Sequence, residues 1–556
     1  MLEKINKKSI INYIGIICLF LGAGVLIRTS CLIGVSDIWF DELFTVSLAN
    51  KPLPELIALA SRDVHPPIYY VIVRMFVLIF RAVNPNIAIE VVAKFTSIIP
   101  LFIIFIYGVT YVRARFGWLS AGLMVLFIET MPQLPQFMVE ARMYSWAILA
   151  VIAMLIHGME YVYDTGVNKR HLVLAVLYGI LAMYLHYYSF VCAATIGVCM
   201  LIFQYVNGCK NAIGHKNANG EGLKRILPII ISMIICLIAY IPWIKNLMGQ
   251  VGAVASNYWI PPVTIRTFAG CIKYVFKPDF ENSAYNYFCV GIMLATYVVL
   301  LVKRVCVKEG QEPQGRHDSQ DGWRKAFVLF TFVIPVVLVL FGYIASILLR
   351  PIFVYRYLTP AMGVFWMGYA ILIGGTVEQG DCLIIDKRLS GLKRVLPIVV
   401  GVIVCTVMLT MMRRDYNLFK WEEEKKQAGM EVTDGFFDLV KTEYPDSVLV
   451  CNFNQLQAIL WHYLDNASIL WGETEETLIA EIEDRYPIEM TDDTDALISK
   501  VREINPDADS FVFIGSGNAR DEIIEIWKEH GYTTDMLVDS CLLERYYFNV
   551  YEVKLN

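Results

Sequence analysis

Apolar residues in this chain come in long unbroken blocks, not in the short alternating or amphipathic runs of a soluble domain. A helix that crosses a bilayer needs about 20 predominantly apolar residues. Blocks of that kind lie at 9–27, 88–111, 118–135, 143–162, 171–186, 188–207, 226–246, 285–303, 326–348, 353–375 and 395–412, eleven in all. The first follows Lys7 and Lys8 and lacks a small-x-small cleavage pattern, so it reads as a retained signal anchor. The stretch after Pro66-Pro67 is apolar but short and carries Arg74 in its middle. It predicts a juxtamembrane helix over 67–83 that lies in the interface without crossing. Beyond Arg413 the chain turns polar. There 448–451, 510–514 and 546–554 read as strands, and 455–464 and 521–530 as helices, which suggests a small α/β domain.

The expected architecture is therefore a polytopic α-helical membrane protein. Residues 1–412 form its transmembrane domain, with an outer loop over 30–87, and residues 413–556 form a soluble α/β domain. Composition agrees: 57% of the 556 residues are hydrophobic, 18% are charged, and the mean hydropathy is +0.53. The net charge of -5 says little, because the acidic excess belongs to the polar tail. Thirteen cysteines are scattered and form no CxxC pair, so neither a zinc site nor a disulfide framework is suggested. Nothing in the pattern points to nucleic acid.

Loop charge sets the sidedness. With 67–83 kept out of the membrane, Arg113/Arg115, Lys169/Arg170, Lys224/Arg225 and Lys303/Arg304/Arg324/Lys325 fall on one face, and the opposite loops are poor in short-range Lys and Arg. By the positive-inside rule the N-terminus is cytoplasmic and the C-terminal domain extracytoplasmic, in a multi-pass protein of the cell membrane. The outer face then collects the chemistry. Asp41 and Glu42 are adjacent carboxylates at a membrane boundary, flanked by Trp39 and Phe40. Such a pair can act as a general base or coordinate a divalent cation. Asp63 and His65 precede the double proline, and His186-Tyr187-Tyr188 sits at a tight outer turn. Glu140 and Arg142 lie at the outer end of one span, and Tyr355-Arg356-Tyr357 opens another. An arginine fork matches phosphate geometry, so Arg356, joined by Lys94, makes a candidate anionic-headgroup site.

These motifs occur in an order and spacing that resemble the GT-C superfamily of membrane glycosyltransferases: Trp39-x-Asp41-Glu42, Asp63-x-His65-Pro66-Pro67-x-Tyr69-Tyr70, Glu140-Ala141-Arg142-Met143-Tyr144, His186-Tyr187-Tyr188 and Tyr355-Arg356-Tyr357-Leu358. The branch that looks most similar is the bacterial relatives of dolichyl-phosphate-mannose protein mannosyltransferases (glycosyltransferase family 39), with the aminoarabinose transferases of lipid A more distant. The resemblance implies transfer of a sugar from a polyprenyl-phosphate carrier to a protein, lipid or cell-wall glycan on the extracytoplasmic face, with inversion. Carried over by motif, Asp41 is the catalytic base and Glu42 supports it. Arg356, Arg142, Lys94 and Tyr355 handle the donor phosphate, and Asp63, His65, Glu140, His186 and Tyr187 support the site. Some members carry lysine where this chain has His65, and relatives often carry arginine at Lys94. No cofactor is required beyond a divalent cation, should Asp41 and Glu42 hold one. The rival reading is a lipid or polysaccharide flippase or transporter that uses the same acids as an ion or proton site. Such a protein should place ionisable groups near the bilayer midplane and often shows internal repeats. Few charges fall in mid-span here, and no convincing repeat is seen.

Overall fold

The structure is a computed structural model and describes residues 7–34, 37–132, 134–163, 168–211, 218–256, 260–276, 283–306, 316–349, 351–379, 392–472, 477–485 and 489–555. Among these, eight stretches are long and apolar enough to cross a membrane. The difference from eleven lies in three places. Ile89–Glu129 counts once, yet Gly117 (φ 87, ψ 173) breaks its helix and folds it back as a hairpin. Only glycine adopts that conformation freely. The Lys169–Leu185 helix is only 17 residues long. Residues 395–412 form the first part of the 52-residue helix Leu392–Glu443, which runs without a break into the C-terminal domain. The boundary near Arg413 thus falls inside a helix and not in a linker.

The Tyr144–Tyr163 and Tyr355–Val377 segments are central, with 89% and 83% of their apolar windows buried, whereas Leu223–Gly252 has 22% buried and faces outward. The anchor helix Lys7–Ser30 packs along Arg113–Glu129. A Cβ on Gly122 would lie 1.9 Å from the carbonyl oxygen of Gly15, so this crossing depends on small residues that let two backbones touch.

The outer segment folds into three helices, Phe40–Asn50, Leu53–Ala60 and Ile68–Val83. The last has 16 residues, about 24 Å at 1.5 Å per residue, too short for a hydrocarbon core of about 30 Å. It buries Tyr69, Tyr70, Val73 and Val77 on one face and exposes Met75, Leu78 and Ile79 on another.

The C-terminal domain is a six-stranded sheet: β1 (Leu449–Cys451), β2 (Ser468–Trp471), β3 (Glu489–Thr491), β4 (Ser510–Ser516), β5 (Thr533–Leu543) and β6 (Tyr546–Lys554). Its order is β3-β2-β1-β4-β6-β5, with β3, β2, β1 and β4 paired in parallel and β6 antiparallel to both of its neighbours, β4 and β5. Sequence had pointed to β1, β4 and β6. β2 and β3 are too short to show a period, and β5 alternates weakly because much of it is exposed. Apolar packing is continuous from the membrane helices through Ile38 and Phe40 to Phe436, Tyr546 and Phe548. The soluble domain is seated on the outer-loop helices, not tethered away from them.

Candidate active site

The chain enters the Phe40–Asn50 helix through Trp39, whose backbone is extended (φ -106, ψ 174). Asp41 and Glu42 therefore stand in a first helical turn, where free N–H groups and the helix dipole favour carboxylates. The two acids then part. The buried Glu42 carboxylate accepts the N–H of Trp39 at 3.1 Å and the N–H of Ala141 at 2.6 Å. It caps its own helix and ties the outer loop to the Glu140–Arg142 segment. Burial raises its carboxyl above the ordinary range, and the nearby charge of Lys94 opposes this. Lys94 is itself buried and donates to the carbonyl of Asp37.

Asp41 instead faces two arginines. Its Oδ2 lies 3.0 Å from Arg356 Nη1 and 3.8 Å from Arg142 Nη2, while Arg142 Nη1 donates to the Asp41 carbonyl at 2.9 Å. The Arg142 side chain is 4% exposed but that of Asp41 is 22% exposed, so the carboxylate stays open to an incoming group. Arg142 Nη2 also points at His65 Nε2, 3.4 Å away. A guanidinium can only donate, so that nitrogen accepts and the imidazole hydrogen sits on Nδ1. Nδ1 faces Asp63 Oδ2 at 3.5 Å, and Tyr70 donates to the same oxygen at 2.8 Å. Burial lowers the His65 pKa and keeps the ring neutral. For Asp63, burial pulls upward, but His65 and Tyr70 outweigh it and hold the carboxyl below its usual range.

Several buried polar atoms around these residues have no hydrogen-bond partner among the described residues: Trp39 Nε1, Arg142 Nε, Tyr144 Oη, His186 Nε2 and Arg356 Nε. Four of the five are N–H donors and Tyr144 can donate too. Buried polar groups are nearly always satisfied. A cluster of unsatisfied donors beside two guanidinium groups is therefore a place built for an anion.

The C-terminal domain closes one side of the site. The loop between β5 and β6 consists of Glu544 and Arg545, with Glu544 at φ 50. Arg545 reaches Glu140 Oε1 at 2.6 Å and lies 3.7 Å from the centre of the Trp39 ring. Tyr546 Oη accepts the N–H of Phe40 at 3.4 Å and donates to Gln455 at 3.1 Å. Burial pushes the Glu140 carboxyl up from 4.5 to about 8; Arg545 pulls it down, while Glu42 and Asp41 push it further up. Sequence reasoning missed Arg545. A lone basic residue in a tight hairpin, far along the chain in a separate domain, carries no motif. The signal available was the Glu544-Arg545 pair between two apolar strands, which marks a turn but not its destination.

The sequence-selected residues thus fall into two groups. Asp41, Arg142, Arg356, His65 and Asp63 form one connected chain, with His186 beside it and Glu140 under Arg545. Glu42 and Lys94 fasten the loop instead. Tyr187 donates to Gln250, which bonds to the carbonyls of Ala60 and Ser61, so it braces the Ala218–Ser256 helix against the Leu53–Ala60 helix. Tyr355 packs over Gly270 and Tyr274, whereas Tyr357 is the tyrosine whose ring lies 5.0 Å from His186. Asp41 and Glu42 do not converge on a common point. Among the described residues no group of three His, Cys, Asp or Glu side chains is placed to hold a metal ion.

No family model and no curated protein matches the chain. Solved structures do. ArnT from Cupriavidus metallidurans bound to undecaprenyl phosphate aligns at 9% identity and a TM-score of 0.54, over 96% of this chain and 97% of that one. The apo state of the same protein aligns at 10% identity and 0.53 over the same shares. The chain shares the fold of that ArnT structure. At this identity the likeness is one of architecture, and it does not select the family 39 branch.

The ionisation of Glu140 gives a test of this geometry. The folded protein keeps the Glu140 proton up to about pH 8, while the unfolded chain releases it near 4.5. The folded state then holds the extra proton, so stability falls as pH rises through that window. Glu140→Gln should flatten the fall of Tm in detergent between about pH 5 and about pH 8. An unchanged slope would contradict the assignment. Arg545→Gln should extend the fall to higher pH, because it removes the charge that holds the carboxyl down.

Proposed function

We propose that this protein is a polyprenyl-phosphate-dependent glycosyltransferase acting on the extracytoplasmic face of the cell membrane. The observation that carries the reading is the Asp41 carboxylate held between Arg142 and Arg356 amid unsatisfied buried donors. Two guanidinium groups against one carboxylate leave positive charge that a phosphate would match. The GT-C fold, in an ArnT structure bound to undecaprenyl phosphate, supports the same class of donor.

The chemistry follows from those positions. An acceptor hydroxyl or amine attacks the anomeric carbon and gives its proton to Asp41 as the bond forms. The bond from that carbon to the carrier phosphate oxygen breaks, and the phosphate leaves with the electron pair. Arg356 and Arg142 stand where its negative charge develops. One displacement inverts the anomeric centre. Asp41 is a poor base while both arginines hold it, and an arriving phosphate draws the guanidinium groups toward itself. Donor binding thereby frees the base. Glu42 and Lys94 contribute by fixing the loop, and Glu140 with Arg545 walls the side toward the C-terminal domain. The two guanidinium groups facing Asp41 disfavour a divalent cation there. The acids lie between membrane segments at one end of the bundle, which favours transfer over the ion-coupled transport reading.

Asp41→Asn should lower sugar transfer from a polyprenyl-phosphate donor by about 10²-fold or more in the folded, membrane-inserted protein, and should also lower Tm, because it strips the buried Arg142 of its carboxylate. Full activity in that variant would rule out Asp41 as the base. Sidedness has its own test. Asp465 has a fully exposed side chain. In intact cells, Asp465→Cys should react with an impermeant maleimide above the level of the unsubstituted protein. Labelling only after lysis would move the site to the cytoplasmic face.

A further inference from the structure

His186 links the Lys169–Leu185 helix to the one that begins at Tyr187, and it is 3% exposed. Its Nδ1 accepts the N–H of Tyr188 at 3.1 Å. In a neutral imidazole the hydrogen must then sit on Nε2. Nε2 is buried and has no partner among the described residues. The ring is enclosed by His65 (centroids 5.5 Å apart), Tyr144 (5.9 Å), Tyr188 (5.8 Å) and Tyr357 (5.0 Å). Burial is the main force keeping a second proton off, and the guanidinium groups of Arg142 and Arg356 work in the same direction. Among the described residues no carboxylate acts on the ring to favour a cation. Tyr144, whose Oη is also unpartnered, packs beside the ring, and Arg142 and Arg356, with unpartnered Nε atoms, are close enough to act on it electrostatically.

A histidine so placed is neither a base nor a cation. Its lone pair is spent on a backbone amide, and its one hydrogen is fixed in direction by that same contact. We infer that His186 Nε2–H donates a hydrogen bond to an oxygen of the carrier phosphate held by Arg142 and Arg356. This rests on the carrier reading given above. A neutral donor adds direction without a third positive charge, so the phosphate is gripped at a defined oxygen and still released after transfer. Tyr357 packs on the ring and keeps it in place.

The test uses the full chain purified in detergent, with undecaprenyl phosphate and its phosphate-free alcohol undecaprenol as probes. His186→Phe keeps ring volume and removes the donor. His186→Gln places an amide N–H near the position of Nε2. Loss of one hydrogen bond to a charged group should weaken undecaprenyl phosphate binding in the Phe variant by roughly ten- to a hundredfold, with Gln recovering most of the loss. Undecaprenol binding should not change in either variant. A folded Phe variant with wild-type affinity for undecaprenyl phosphate overturns the role of His186 and leaves the carrier reading standing. Wild-type protein that fails to prefer undecaprenyl phosphate over undecaprenol overturns both. Should the Phe variant not fold, ¹⁵N-histidine-labelled wild-type protein decides: the Nε2–H resonance, identified by its loss in the Gln variant, should shift with undecaprenyl phosphate and not with undecaprenol. No shift overturns the assignment.

Discussion

The structure turns on one carboxylate between two guanidinium groups. Arg142 is almost wholly enclosed, and a buried charge must be paired and hydrogen-bonded or its desolvation is ruinous. Asp41 supplies that pairing twice over, with its side chain and with its backbone carbonyl. The Phe40–Asn50 helix is therefore drawn against the loop that follows the Gly117 hairpin, and Glu42 locks it there through the Ala141 amide. Arg356 arrives from the start of a central helix and completes the triplet. The helical bundle and the outer segment meet at this point, and each is positioned by the other.

The C-terminal domain belongs to the same construction. Beyond Arg545 and Tyr546, it anchors the outer segment through Glu483 to Ser47, Asp484 to Lys51 at 2.9 Å and Glu481 to Arg62 at 2.7 Å, and the start of the Ile89–Glu129 stretch through His462 to Glu90 at 2.6 Å. The exposed pairs among these contribute little individually. Their value is geometric: they hold a membrane-surface segment in register over the site. Arg545, stacked on Trp39 and bonded to Glu140, lets this domain sense the aromatic that opens the Asp41 helix. The domain at the end of the chain is thus part of the wall of the site, which explains why the long helix into it has no flexible break.

Much of this was legible in the amino-acid order. Apolar blocks announce membrane helices because length and hydropathy leave a bilayer segment few alternatives. The acids and arginines at block ends announce a site because a charge at a membrane boundary needs a reason. What residue type cannot disclose is direction. Asp41 and Glu42 are neighbours in a helix turn, about 100° apart around its axis, so one faces the arginines and the other the backbone of the next loop. Tyr355 and Tyr357 divide in the same way across Arg356. Lys94 reads as a phosphate ligand but sits deep enough to be needed by the Asp37 carbonyl. Arg545 was illegible for a different reason, since its partner Glu140 lies in another domain and no local period connects them.

The central claim is that a carrier phosphate replaces Asp41 as the partner of the arginines. Cryo-electron microscopy of the protein in a nanodisc with undecaprenyl phosphate tests it most directly. The account predicts phosphate oxygens within hydrogen-bonding distance of Arg142 and Arg356, with the Asp41–Arg356 contact lengthened and the carboxylate turned to the open side. A phosphate bound elsewhere, with Asp41 and Arg356 still paired at 3.0 Å, would contradict it.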